Sequence, residues 1–286
     1  AAELRFTPPW SGKIDALLMR VPPCARLDTN PWCKKRRGSC STRIFLRANL
    51  LGYSIRCQTR ARAEAGELAA GTLDSWLLFR LTAGQVHATD ASNACRTLLC
   101  DLESARWDSE LLELFKIPAA LLPEIRNNID DYGRSAVDLL GAEVPIRAMM
   151  GDQQAAAYGQ GVRASGLMKS TYGTGCFTLA HTGSERPRSE HRLLATIASR
   201  FDGQNQYAIE GSIFHAGTVV QWLRDQMGLI TTAAESEDLL AQSDPDGELV
   251  FVPAFTGMGA PWWDPNARGA LLGLTRATCP ADLVRA

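Results

Sequence analysis

From about residue 60 to the end of the chain, short apolar runs alternate with helix-forming stretches. Strands interleaved with helices must bury their apolar faces in layers, so this alternation points to an α/β protein. Arg60 to Leu68 is rich in Ala, Arg and Glu, which are good helix formers. Leu73 to Leu81 is mostly apolar and runs into the turn Thr82-Ala83-Gly84. Asp108 stands where it can cap a helix carrying Leu111, Leu112, Leu114 and Phe115, closed by Pro118. Val144 to Met150 reads as a buried strand ending at Gly151, and Leu249 to Val252 as another. Ser170 to Leu179 carries strand formers around Gly173 and Gly175. Leu193 to Phe201 and Gln206 to Gly211 flank Asp202-Gly203, a hairpin turn pair. Ala216 to Met227 has helical spacing, and Ser243 to Gly247 reads as a loop.

Residues 1–57 have a different texture. Residues 1–65 hold 13 Lys and Arg against 4 Asp and Glu, a balance of +9, whereas the whole chain of 286 residues has a net charge of −1. The remainder therefore carries −10, so a generally basic nucleic-acid binder is not indicated. Four of the eight cysteines, Cys24, Cys33, Cys40 and Cys57, lie here without the short spacing of a zinc knuckle. Residues 14–57 show no period of 2 or 3.6. The run Lys34-Lys35-Arg36-Arg37 has three readings: a nucleic-acid or targeting patch, a solvated charge run, or part of a segment in a shifted reading frame. No apolar run reaches the ~18–20 residues that span a bilayer, and no secretory signal is visible, so a cytoplasmic protein with reduced thiols and no membrane anchor is expected.

Three segments carry chemistry. In Met149-Met150-Gly151-Asp152-Gln153-Gln154, an apolar run meets a glycine, an acid and two amides before an alanine-rich helix. Ligands of open α/β sheets sit at the carboxyl ends of strands, where Asp152 could take a proton from a substrate hydroxyl; alternatively it caps the helix. In Ser170 to Phe177, Gly173-Thr174-Gly175 either brings the backbone close to phosphate oxygens or forms a tight turn. Cys176 has no nearby His partner in sequence and reads as a buried structural thiol. Phe255 to Gly269 reads as an ordered surface loop in which Asp264 and Arg268 are a candidate pair.

The segments GTLDSWLLFRLTAG, HATDASNACRTLL, GDQQAAAYGQ, TYGTGCF, EGSIFHAGTVVQWLRD and AFTGMGAPWWDPNARGALLGLTR occur in this order. Together they resemble the FGGY sugar-kinase family from about residue 60 to residue 286, and GDQQ and APWWDPNARG resemble its glycerol-phosphorylating branch more than its xylulose or gluconate branches. The resemblance implies two actin-like (ribonuclease H-like) α/β domains, both incomplete in this chain, with ATP and glycerol between them. It divides the chain into an atypical segment 1–57, the C-terminal part of a first domain over 58–160, and the N-terminal part of a second over 161–286. It implies Asp152 as catalytic base, Gln153 as a glycerol contact, Phe177 as an apolar wall of the glycerol pocket, Thr174 as an ATP-phosphate contact, and Gly217 and Gln221 as further nucleotide-site positions.

MgATP and glycerol are then the implied substrates, glycerol 3-phosphate and ADP the products, and a homo-oligomer (dimer or tetramer) an option for the full-length enzyme. The implied alternatives are an FGGY kinase for another polyol or sugar, or a truncated non-catalytic product that binds through its basic N-terminal segment. The chain departs from the family's pattern at its start. Nothing matches the N-terminal phosphate-binding Asp-Gly-Thr, the Arg-Glu pair that grips glycerol is missing, and Pro9 stands where a Tyr is expected. It also stops before the family's adenine-binding glycines, so the expectation is an internal fragment that is inactive alone.

Overall fold

The computed structural model describes residues 57–286, with side chains from Arg60 onward. The atypical first segment, its tetrabasic run and Cys24, Cys33 and Cys40 lie outside the described residues. The described chain mixes helix and sheet and falls into two compact units. One holds the described residues up to Leu167 together with Ala180–Ser189 and Leu194–Ile209. The other holds Met168–Leu179, Glu190–Leu193 and Glu210–Ala286.

The first unit opens with helix α1 (Cys57–Glu64) and helix α2 (Leu73–Leu81). α2 buries Ser75 and Leu78 and stops where Ala83 and Gly84 take left-handed φ of 51° and 83°, the turn expected from Thr82-Ala83-Gly84. Strand β1 (Ala88–Asp90) pairs in parallel with β4 (Glu124–Arg126), Thr89 opposite Ile125. A parallel pair needs a long crossover. Here it carries the short helix α3 (Ala91–Ala94), the antiparallel pair β2 (Cys100–Asp101) and β3 (Arg106–Trp107), and helix α4 (Ser109–Leu114). Asp108 caps α4, accepting from the amides of Glu110 at 3.0 Å and Leu111 at 3.1 Å. Such a cap is worth about 1 kcal/mol. The helix ends at the Phe115 cap, where Lys116 follows with φ of 54°, ahead of Pro118.

Leu98, Leu99, Leu111, Leu112, Phe115, Ile117, Leu121 and Leu122 form the largest buried cluster of this unit. A second joins Ala91, Cys95, Leu102 and Ala105 to Ile197 and Tyr207, and a third gathers Leu78, Ala88 and Tyr132. A short helix α5 (Val137–Leu140) precedes Val144–Met150.

The strand expected over Val144–Met150 is not regular. It runs beside residues 128–135, with backbone hydrogen bonds from the Ile146 amide to Gly133 at 2.8 Å, from Tyr132 to Ile146 at 3.0 Å and from Asp130 to Arg147 at 3.1 Å. These yield only the isolated bridges Ile129↔Ala148 and Arg134↔Pro145, and much of the segment is exposed. Pro145 has no N–H to give a ladder, and Asn128 reaches into the run with its side chain, so the segment is an irregular extended ribbon. Helix α6 (Asp152–Gly159) follows directly.

Strands β5 (Met168–Tyr172), β6 (Cys176–Gly183), β7 (Leu194–Phe201) and β8 (Gln204–Ile213) make one four-stranded sheet in the order β5-β6-β8-β7. β7 and β8 are joined through Asp202 and Gly203, both at positive φ (49° and 76°), as a two-residue hairpin turn requires.

The second unit continues with α7 (Gly217–Asp225), α8 (Glu235–Leu240), the antiparallel pair β9 (Val250–Val252) and β10 (Ala270–Leu272), and α9 (Pro280–Arg285). β9 confirms a strand at the expected place but not a buried one. Val250 is 52% exposed, because β9 has only β10 beside it among the described residues. Trp222, Phe251 and Phe255 pack their rings together at centroid separations of 5.2–5.9 Å. α9 opens with Pro280 at its first turn and a capping box in which Asp282 accepts from the Cys279 amide at 2.8 Å.

Candidate active site

In the first unit, the Asp152 carboxylate stands exposed at the first residue of α6. The cap position belongs to Gly151, which has no side chain to cap with, so Asp152 does not play the N-cap role. Its Oδ1 accepts from the Gln153 amide at 2.7 Å. A carboxylate in a helix's first turn is favoured by the partial positive charge of the exposed amides there. Gln153 follows, half-buried. Gln154 turns inward, 3% exposed, and its Nε2 donates to Thr196 Oγ1 at 3.2 Å and the Ile197 carbonyl at 3.4 Å, tying α6 to β7. A Cβ on Gly151 would lie 2.8 Å from Gln154 Oε1, so a larger residue there would make the end of the Gln154 side chain shift.

The turn ahead of Asp152 is held by side chains that sequence reasoning assigned no role. Asp90, fully buried, caps α3 and accepts from the Ser92 amide at 2.6 Å, Asn93 Nδ2 at 2.6 Å and Asn128 Nδ2 at 2.7 Å, as well as from the Ser92 hydroxyl. Burial pushes the Asp90 carboxyl above the usual carboxylate range, and the hydrogen bonds from Ser92 and Asn93 oppose that push. Their signal in sequence is an Asp two residues before a Ser at the start of an Ala-rich stretch, a cap pattern inside HATDASNACRTLL.

In the second unit, Thr174 stands exposed between Gly173 and Gly175. The turn is pressed against its neighbours by backbone. A Cβ on Gly175 would meet the Ile213 carbonyl at 2.4 Å, and one on Gly217 would meet the Gly173 carbonyl at 2.6 Å. The Thr174 carbonyl accepts from the Ala216 amide at 2.9 Å and from Thr218 Oγ1 at 3.0 Å, while the Gly217 amide donates to Gly173 at 2.8 Å. The start of α7 therefore spends amides on the turn, and Gly217 serves it by close approach. Gln221, one turn further along α7, is exposed. Phe177, on β6, is 38% exposed. Cys176 is buried and free, as its sequence reading required.

His215 was not singled out from sequence. The Thr256 amide donates to its Nε2 at 3.2 Å, which leaves Nδ1 to carry the proton and donate to Thr218 Oγ1 at 3.1 Å. Thr218 in turn donates to the Thr174 carbonyl, so one side-chain relay links the 256 loop to the turn. Burial lowers the His215 pKa, which keeps the ring neutral as the relay needs. The signal was a His three residues before a Thr at a helix start.

The Asp264–Arg268 pair expected from sequence does not form. Asp264 Oδ1 accepts from the Asn266 amide at 2.8 Å in a local turn, and Arg268 donates to the Pro265 and Ala267 carbonyls at 3.0 and 2.8 Å.

Residues 56–159 match the N-terminal domain of the FGGY family of carbohydrate kinases, and residues 168–286 match its C-terminal domain. The chain belongs to this family. It is 57% identical over 227 residues to the glycerol kinases of Methylobacterium nodulans and Xanthobacter autotrophicus, a match that covers 79% of this chain but 45% and 46% of those proteins. The chain thus spans about half the length of the curated relatives it matches. The crystal structure of Plasmodium falciparum glycerol kinase with ADP superposes with a TM-score of 0.84 at 32% identity, covering 95% of this chain and 54% of that one. Gluconate kinase from Lactobacillus acidophilus superposes with a TM-score of 0.75 at 20% identity, over 95% of this chain and 54% of its own, and supports the fold alone. The fold is the actin-like, ribonuclease H-like kinase fold.

Proposed function

We propose that this chain is part of a glycerol kinase working in the cytoplasm, with the first FGGY domain running to residue 160 and the second beginning at 161. The observation that carries the reading is the 57% identity to curated glycerol kinases over 227 residues. Asp152, exposed at the start of α6, supplies the base. It takes the proton of a terminal glycerol hydroxyl while that oxygen bonds to the γ-phosphorus of ATP. The bond from phosphorus to the β–γ bridging oxygen breaks, and ADP leaves with that electron pair. Gln153 orients the hydroxyl and Phe177 gives the carbon chain an apolar wall. Thr174 donates to a phosphate oxygen, and Gly217 and Gln221 line the nucleotide site.

Among the described residues no cluster of three or more His, Cys, Asp or Glu could hold a metal ion. The magnesium ion of MgATP would ride on the nucleotide phosphates, where it offsets charge in phosphoryl transfer. The pressed turn at Gly173–Gly175 fits a phosphate chain, since a backbone without side chains admits close approach.

The test is to express the full gene product containing this chain and follow ADP release and sugar phosphate formation with MgATP and glycerol, xylulose or gluconate. Preference for glycerol by kcat/KM supports the reading. Preference for either other substrate overturns the glycerol assignment while leaving the family intact.

A further inference from the structure

We propose that Ser92 and Asn128 are positioning residues that set the place of the Asp152 carboxylate by holding the backbone turn in front of it. The inference rests on Asp152 being the base, as read above. Three hydrogen bonds from this pair of residues land on the turn. Ser92 Oγ accepts the Gly151 amide at 2.8 Å, Asn128 Nδ2 donates to the Met149 carbonyl at 2.9 Å, and the Asn128 carbonyl accepts the Met149 amide at 2.9 Å. Residues 149 and 151 are thereby fixed, with Asp152 next in the chain.

The two side chains are themselves over-determined. Ser92 is fully buried and Asn128 is 1% exposed. The Ser92 hydroxyl donates to Asp90, which leaves its oxygen free to accept from Gly151. Asn128 spends one amide hydrogen on Asp90 at 2.7 Å and the other on Met149, and its Oδ1 accepts the Arg200 amide at 2.6 Å. Asp90 also accepts from Asn93 Nδ2 at 2.6 Å. A buried carboxylate thus aligns both residues, and each has one direction left, toward the turn. Backbone bonds to residues 128–135 hold the run as far as Met149, and beyond that point the Gly151 amide is held by the Ser92 side chain. The Asp152 side chain is exposed, so its position is inherited from its backbone. A misplacement of ~1 Å at a reacting group can cost ~10²-fold in rate, so such a support should appear in turnover rather than in substrate affinity.

The test uses the full gene product with Ser92→Ala, Ser92→Thr and Asp152→Asn. It reads glycerol turnover, KM for MgATP, melting midpoint and amide exchange by residue. For Ser92→Ala, exchange at Gly151 should rise ~10-fold or more while α2 and α4 stay protected, because only a local opening is eased. Turnover should fall ~10–100-fold with the MgATP KM within ~3-fold of wild type, and Ser92→Thr, which keeps the hydroxyl, should recover most of it. Unchanged exchange at Gly151, unchanged turnover, or a loss of turnover matched by lost protection throughout α2 and α4 would each overturn the proposal, the last by reducing Ser92 to a scaffold residue. If Asp152→Asn keeps wild-type turnover, the base reading fails by itself, and the Gly151 exchange still decides whether the network holds the turn. A gene product that never turns over glycerol removes the base reading and this proposal with it.

Discussion

The two units hold their candidate site residues in different ways. In the first, a buried side-chain network and a dense apolar interior stand behind Asp152. Leu99 and Asp90 are both fully buried, and Leu111 is 2% exposed. In the second, Thr174 rests on backbone pressed against backbone at Gly175 and Gly217, under an interior whose buried apolar residues include Leu223, Ile230, Ala254 and Ala281. Several large apolar groups there are exposed, among them Tyr172 at 79%, Ile213 at 54% and Trp262 at 59%. The difference follows from chemistry. A carboxylate that must meet one hydroxyl gains from rigid side-chain support. A turn that must admit phosphate oxygens gains from having no side chains in the way.

The largest effect that could break this contrast is at Asp152. Asp152→Asn keeps the size and removes the basicity, so turnover of the full gene product should fall ~10²–10⁴-fold at saturating substrates. Steady-state rates with glycerol and MgATP check it, and a near-wild-type rate would end the base assignment. Next come the interiors. Leu111→Ala deletes a buried side chain of the first unit's main cluster and should cost ~2–5 kcal/mol in a denaturant melt. Gly175→Ala forces a methyl to within 2.4 Å of the Ile213 carbonyl, which must shift. Overpacking of this kind costs ~1–3 kcal/mol. Its distinguishing mark is weakened ATP binding by titration calorimetry, whereas Leu111→Ala should leave ATP affinity alone once folded. Equal loss of ATP affinity in both variants would erase the distinction between the units.

Much of this was legible in the sequence, and where it was not the reason is physical. The Asp108 cap, the Asp202-Gly203 hairpin and the helix over 217–225 were readable because each depends on neighbours a few residues away. Asp152 and Thr174 could be picked out, but their roles came from the family resemblance, since an acid before an alanine run and a Gly-Thr-Gly each have common local explanations. The Ser92–Asn128 support was not readable. It joins residues 92, 128 and 151, and only tertiary structure brings them together. Val144–Met150 misled because apolar composition suggests a buried strand, while its backbone pairing with residues 128–135 is irregular and much of it is exposed. Asp264 and Arg268 misled because opposite charges four apart look like a pair until local carbonyls and amides claim them.

A smaller effect concerns pH. Burial lowers the pKa of His87 and His181 in the first unit and of His215 in the second. A histidine whose folded pKa lies below its unfolded value of ~6.5 binds its proton more readily when unfolded. Its contribution is therefore complete above pH ~6.5 and is lost as pH falls through the folded value. The melting midpoint should drop between pH 7.5 and 5.5. If the two units respond differently, the ring titrations followed by NMR should divide accordingly. His215 protonation should loosen the Thr256 contact, and His181 protonation should loosen the bond its Nδ1 accepts from the Gly183 amide at 3.0 Å. A midpoint that rises on acidification over this range would contradict the sign.

The smallest expected effect tests whether the contrast reaches the surface. Arg134 and Glu143 pair at 3.2 Å in the first unit with side chains 53% and 62% exposed. Water screens such a pair, and holding two long side chains together costs rotamer freedom, so exposed pairs contribute only ~0–1 kcal/mol. Arg134 also donates to the Glu143 carbonyl at 2.9 Å, a bond that survives Glu143→Gln, and the new amide keeps an oxygen to accept from the guanidinium. Glu143→Gln should therefore shift the melting midpoint by no more than ~4 °C, the upper end for ~1 kcal/mol in a chain near this size. The shift should shrink further in ~1 M salt, where the screening length falls to ~3 Å. A larger, salt-independent loss would mean that the first unit's rigidity extends through its surface charges, and the contrast with the second unit could then no longer be assigned to the interiors alone.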